Sequence, residues 1–311
     1  MSDKPLVSIC IPNYNNALYI GEAIQSALDQ TYENFEIIVA DNRSTDNSWE
    51  VIQSYASDAR LKCYLNDSNL GMVGNFREVF NKAQGKYISF LCSDDLLKKG
   101  TIKILVEKME TNSECSFAFG NVEYCGNRIG QSNFVFPEII EERGWVKASI
   151  NAGGNRAFLV GTVIRKTSEK SEEIIADLTF FDWYLWLKLG KSKVAFTETI
   201  VGVHRYHQNN QTRQLTTGFI DNYQQLRLVI IKSYEDGHLT RKEAKKISKK
   251  MTLLWSTYFF STSNLKCYTL RSIVAGYKFC RGEFSGVSIL IEYFFILMRV
   301  FAMKVLRRIE F

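Results

Sequence analysis

Residues 6 to 15 read LVSICIPNYN, and the first six form a short apolar run rich in β-branched side chains that ends at a proline. Such a run predicts a buried strand. Directly after it the spacing changes. Ile20, Ala23, Ile24, Ala27 and Leu28 share one face of a 3.6-residue period, so the strand hands over to a helix. The same alternation returns along the chain. FEIIVA at 35–40 leads through a Ser/Thr/Asp turn to a helix containing Trp49 and Ile52. KCYL at 62–65 precedes a helix with Phe76, Val79, Phe80 and Ala83 that Gly85 stops, and KYISFL follows at 86–91. Repeated strand–helix units of this length imply an α/β fold: a Rossmann-like, mostly parallel sheet with helices on both faces.

From 100 to 220 the pattern mixes a helix at 101–110, strands near 115–124, 158–165 and 194–203, and a helical stretch at 180–189. Beyond 220 only helical patterns remain. One opens on the capping box Thr240-x-x-Glu243 and carries Lys242, Lys245, Lys246, Lys249 and Lys250 on its outer side. The expected organisation is a main domain over 1–220, with halves 1–110 and 111–220, and a C-terminal helical region over 221–311. Its last helix, 284–306, is too interrupted by Glu292 and Arg299 to span a bilayer. It reads as an interfacial membrane helix, a helix packed on the domain or a partner surface.

The net charge of +6 is unevenly placed: residues 1–100 carry 9 Lys/Arg against 13 Asp/Glu, whereas 231–311 carry 15 against 6. A basic tail beside an acidic body points to an anionic membrane surface or to a merely solvated face. The basic residues are not interleaved with aromatics on a nucleic-acid module, so no nucleic-acid partner is expected. Seven scattered cysteines without a C-x-x-C pair suggest a reducing compartment, and the N-terminus lacks a secretory pattern, so a cytoplasmic location is expected.

Open parallel sheets bind ligands beyond the carboxyl ends of their strands. Those positions hold Pro12-Asn13-Tyr14-Asn15, Asp41-Asn42, Asn66 to Gly71, and Cys92-Ser93-Asp94-Asp95. Asp94 and Asp95 repel each other at a strand end and are costly to desolvate unless a cation or donors offset them. Mg²⁺ or Mn²⁺, held by one or two carboxylates and phosphate oxygens, would do so. Taken alone, the pair would also fit a solvated turn or a helix cap.

VSICIPNYN, VADNRSTDNS, NDSNLGMVGN and GKYISFLCSDD, in this order and spacing, resemble the inverting family 2 glycosyltransferases of GT-A fold. FFDWYLWLKLGK and VGVHRYHQNNQT resemble that family's acceptor half, so the likeness covers about residues 6 to 215. The resemblance implies Pro12, Tyr14 and Asp41 around the nucleotide base, with Asp41 accepting from a base N–H. It implies Asp94 toward the ribose and Asp95 on a divalent metal that bridges the diphosphate. Arg205 or His207 would approach the diphosphate or metal, and Trp183, Gly161 and Thr162 would line the acceptor side. Asn69 and Gly71 begin either a binding loop or a structural turn.

Inverting transfer needs one carboxylate to take the acceptor proton. Asp182, among Phe180, Phe181, Trp183 and Trp186, is the candidate base, since burial there raises its pKa; capping the helix near Trp183 is its structural alternative. The sequence departs from the family pattern at Cys92, at Phe76-Arg77, at Asn42-Arg43 and at Phe181, each beside a retained residue. The resemblance thus implies transfer of a sugar from a nucleotide-sugar, UDP-linked in the first instance, to a saccharide or lipid-linked saccharide. Surface polysaccharide synthesis at the inner membrane face is the expected setting. A binding-only relative or a nucleotidyltransferase is the competing class. The latter needs a Gly-rich basic loop after the first strand, where this chain has Pro-Asn-Tyr-Asn.

Overall fold

A computed structural model describes residues 4–208, 210 and 219–261. The helix expected at 284–306 lies outside the described residues. The first strand, β1 (Val7–Asn13), is buried along its whole length, as is β2 (Phe35–Asp41). They pair in parallel from Val7↔Phe35 to Asn13↔Asp41, with β3 (Leu61–Leu65) outside β2 and β4 (Tyr87–Phe90) on the other side of β1. The full order is β3-β2-β1-β4-β9-β6-β10-β5, completed by β5 (Leu96–Leu97), β6 (Cys115–Gly126), β9 (Thr162–Arg165) and β10 (Lys193–Tyr206). The long pairings are parallel, β6 with β10 included. The antiparallel ones are short, among them β7 (Gly130–Gln131) on β6 and β8 (Ile139–Ile140) on β10.

Alternation along the strands divides the core in two. Ile9, Ile11, Ile37 and Val39 face α1 (Ile20–Leu28), α2 (Ser48–Gln53) and α4 (Thr101–Thr111), while Cys10, Ile38, Ala40 and Phe90 face α3 (Gly71–Lys82). The second face also receives α5 (Gly144–Ala152), α6 (Ser171–Ile174) and α7 (Phe181–Leu189). Seven of the nine residues of α7 are buried, which is why it carries apolar side chains all round. Two further helices, α8 (Phe219–Glu235) and α9 (Arg241–Ser261), add Val229, Ile230, Ile247 and Met251 to the same core. The capping box of α9 forms as expected. The Thr240 N–H donates to Glu243 at 2.8 Å and the Glu243 N–H to Thr240 Oγ1 at 3.3 Å.

Two differences from the sequence expectation matter for the site. The strand expected from 158 begins only at Thr162, because Gly161 takes a φ of +74° and lies so close to β10 that a Cβ there would come 2.5 Å from Val201 Cγ2. And β5, two residues long, pairs antiparallel with β10 through Leu96↔Val203 and Leu97↔Gly202. That pairing sets Asp94 and Asp95 beside the end of β10.

Candidate active site

The carboxyl ends of β1, β2 and β4, the N-terminus of α3, the loop before β9, the start of α7 and the end of β10 enclose a cleft of about 750 Å³. Buried amides build its floor. Asn42 Nδ2 donates to Asn69 Oδ1 at 2.9 Å, and Asn42 Oδ1 accepts from the Leu70 N–H and from Asn66 Nδ2. Asn66 Nδ2 also reaches Asn75 Oδ1, and Asn75 Nδ2 donates to the carbonyls of Asn13 and Ala40. Backbone groups freed where strands end are thereby satisfied by side chains rather than by further strand. Asn69 is thus both on the cleft wall and part of this frame, and it also accepts from the Gly71 N–H. The loops after β1 and β4 are joined by Asn16 Nδ2 donating to Ser93 Oγ at 2.9 Å.

The acidic pair is held by the end of β10. Asp95, 2% exposed, takes the Arg205 N–H at 2.9 Å and lies 3.1 Å from His204 Nδ1. Burial raises the Asp95 carboxyl above its ordinary range against the pull of His204. On His204 burial acts downward and is the largest single effect, but the charge and hydrogen bond of Asp95 with the charge of Asp94 together outweigh it, so the imidazole titrates above its usual value. Asp94 Oδ2 meets His207 Nε2 at 2.9 Å and accepts from Asn210 Nδ2 at 2.8 Å. The ring of His207 lies 4.7 Å from that of Tyr19.

Cys92, Asp94 and Asp95 bring their ligating atoms within 4.8 Å of one another. Burial, followed by the charges of Asp95, Asp94 and Asp182, pushes the Cys92 thiol well up. The oxygens of Asp94 and Asp95 form a hard donor pair of the kind that could hold Mg²⁺ or Mn²⁺.

Asp182 lies on the same cleft, in the first turn of α7. Burial raises its carboxyl to about 6, partly offset by the Trp183 N–H and by Asn155, whose Nδ2 donates to Asp182 Oδ2 at 2.8 Å. Trp183 lines the cleft at 2% exposure and is fixed by its Nε1 donating to Ser149 Oγ at 2.8 Å. Pro12 and Tyr14 also line it, Tyr14 being 47% exposed.

Four residues singled out from the sequence fall elsewhere. Asp41 is fully buried beneath the floor. Its Oδ1 accepts from the Ser44 N–H at 2.8 Å, and its Oδ2 from Asn13 Nδ2 at 2.8 Å and Ser44 Oγ at 2.7 Å. Arg205 turns onto α1, donating to Glu22 Oε2 at 2.6 Å and lying 4.7 Å over the Tyr19 ring, while its Nε secures the Asp94 carbonyl. Gly161 and Thr162 belong to the β9 contact with β10 and β6 and are not on the cleft wall. Thr162 Oγ1 donates to the Phe158 carbonyl. Conversely, Asn13 and Asn42 were read only as strand-end positions with no role assigned, and Asn75, Asn155 and Asn210 were not singled out. The strand-end pattern marks the place of the first two but not which way their amides turn; Asn155 follows a segment without periodicity.

A mostly parallel sheet whose strand ends converge on an acidic, amide-lined cleft is the GT-A architecture of glycosyltransferases. The Glycosyl transferase family 2 model matches residues 8–163, and the chain belongs to that family. It is 28% identical over 233 residues to UDP-Glc:alpha-D-GlcNAc-diphosphoundecaprenol beta-1,3-glucosyltransferase WfgD of Escherichia coli, covering 71% of this chain and 88% of WfgD. It is 37% identical over 117 residues to the putative teichuronic acid biosynthesis glycosyltransferase TuaG of Bacillus subtilis, 37% of this chain, and so matches only about half (46%) of that relative's length. Residues 1–349 of S. aureus TarS, solved with UDP-GlcNAc, share the fold at a TM-score of 0.68 and 17% identity, over 84% of this chain and 76% of the other.

Proposed function

We propose that the protein is an inverting, metal-dependent glycosyltransferase. In this reading it moves a sugar from a nucleoside-diphosphate sugar, UDP-linked first, to a hydroxyl of a lipid-linked saccharide during surface polysaccharide assembly. The observation that carries this is one cleft holding two carboxylate sets of different character. Asp94 and Asp95 are held together by β10, and Asp182 stands apart with its carboxyl raised to about 6. Arg156 is the single Lys or Arg among the described residues that line the cleft. A diphosphate entering beside three carboxylates and one guanidinium needs further positive charge.

A divalent ion on Asp94 and Asp95 would supply that charge and stabilise the departing diphosphate. Asp182 then accepts the proton of the acceptor hydroxyl as its oxygen bonds to the anomeric carbon and the bond to the diphosphate breaks on the opposite face. The β-linkage in WfgD's name is what inversion of an α-linked donor yields. Pro12 and Tyr14 would flank the base, and Trp183 the acceptor. Residues 1–110 would form the donor half and 111–220 the acceptor half.

Among the described residues no helix is long and apolar enough to cross a membrane. The exposed lysines 242, 245, 246, 249 and 250 of α9 suit a peripheral site on an anionic bilayer at the inner membrane face. Thermal-shift screening with UDP-, GDP-, dTDP- and CDP-sugars in Mn²⁺ tests the donor assignment: one class raises Tm in a metal-dependent way, and no shift with any of them removes it.

A further inference from the structure

Asn13 is 1% exposed at the cleft floor, and its Oδ1 has no hydrogen-bond partner among the described residues. A buried carbonyl oxygen left unpaired is costly, so a donor is expected to meet it. The orientation of this amide is not free. The Asp41 carboxylate only accepts, and it lies 2.8 Å from the other end of the side chain, so the NH₂ must face Asp41 and the carbonyl must face away. Ser44 locks Asp41 in turn, through its N–H on Oδ1 and its hydroxyl on Oδ2.

We infer that Asn13 Oδ1 reads the N–H of the nucleotide base, and that Asp41 is the positioning residue that aims it. This rests on the nucleotide-sugar reading of the cleft. Uracil, thymine and guanine each carry a ring N–H on their pairing edge, whereas the matching nitrogen of cytosine bears no hydrogen. Asn13 therefore excludes cytosine and accepts a uracil-type imide. A second consequence concerns the Asp41→Asn variant. Its carbonyl stays on the Ser44 N–H, its NH₂ turns to Asn13, and the Asn13 amide reverses. The cleft then presents a donor, which pairs with cytosine and not with uracil.

Calorimetric titration of the full chain with UDP, N3-methyl-UDP and CDP in Mn²⁺ tests this. Wild type should bind UDP roughly tenfold tighter than the other two. Asn13→Ala should lose that discrimination, and Asp41→Asn should turn it toward CDP. If Asn13→Ala keeps the wild-type preference, or wild type binds UDP and N3-methyl-UDP alike, the inference is overturned while the nucleotide site stands. If wild type binds no nucleoside diphosphate, the reading of the cleft itself fails. Should Asn13→Ala not fold, the methylated nucleotide on wild type and the Asp41→Asn titration still decide.

Discussion

Asn155 donates from Nδ2 to Oδ2 of Asp182 across 2.8 Å, while the carbonyl end of the same amide accepts from the Ala157 N–H at 3.1 Å. The amide is therefore fixed with its NH₂ on the carboxylate, where it favours the ionised form against a burial that raises the carboxyl to about 6. A base acts when deprotonated, so transfer should fall as pH drops through 6. Asn155→Ala removes the stabilising donor and should move this acid limb upward by roughly one pH unit, read from a pH–rate profile. An unmoved limb with a lowered plateau would make Asn155 merely structural.

The same burial has a thermodynamic signature. The folded-state pKa of Asp182 lies above its ordinary 3.8, so the folded protein holds the proton more tightly than the unfolded chain, and stability falls as pH rises from about 4 to 6. Asp182→Asn escapes this loss. It should be roughly 1 to 3 kcal/mol more stable than wild type at pH 8, and much less so at pH 4, by urea denaturation.

Asp95 is expected to matter through the cation. Asp95→Ala should weaken UDP binding in Mn²⁺ roughly 10- to 100-fold and leave metal-free binding almost unchanged, by calorimetry. Equal weakening with and without Mn²⁺ would place its role elsewhere.

His238 provides a separate test of how the helical hairpin docks. Burial, then Lys191 and Lys188, lower its pKa to about 4, and its Nε2 meets Tyr184 Oη at 3.1 Å. The unfolded chain takes up a proton near 6.5 that the folded one refuses until about 4, so stability is lost as pH falls through that window. His238→Gln should flatten the decline, which otherwise reaches roughly 2 to 3 kcal/mol.

The parallel sheet was legible because β1, β2 and β4 are buried on both faces and, like the partly buried β3, are flanked by turn residues: 35–40 and 62–65 differ from the observed strands by a single residue at one end. Asp94 and Asp95 stand at the end of the apolar run 86–91 and Asp182 at the start of an apolar helical stretch, whereas His207 was singled out through the family resemblance and not through any period; the structure places all four on one cleft. What brings Asp94 and Asp95 to His204 and His207 is the two-residue strand β5, and two residues carry no period. Helix α5 spans nine residues in a stretch without clear stop signals, held by Arg143 and Gly153 at positive φ. With it went the position of Asn155. The side of an element to which Asp41 and Arg205 turn depends on local partners, Ser44 and Glu22, that a strand pattern does not rank.

The central claim is transfer by Asp182 from a donor bound at the acidic pair, and single-turnover transfer by Asp182→Asn, with the donor found by screening and Mn²⁺ at saturation, tests it most directly. The expected result is donor affinity within about twofold of wild type and a transfer rate lower by roughly 10²-fold or more, with the wild-type product inverted at the anomeric carbon by NMR. Transfer by Asp182→Asn at the wild-type rate, or a wild-type product of retained configuration, would contradict the account.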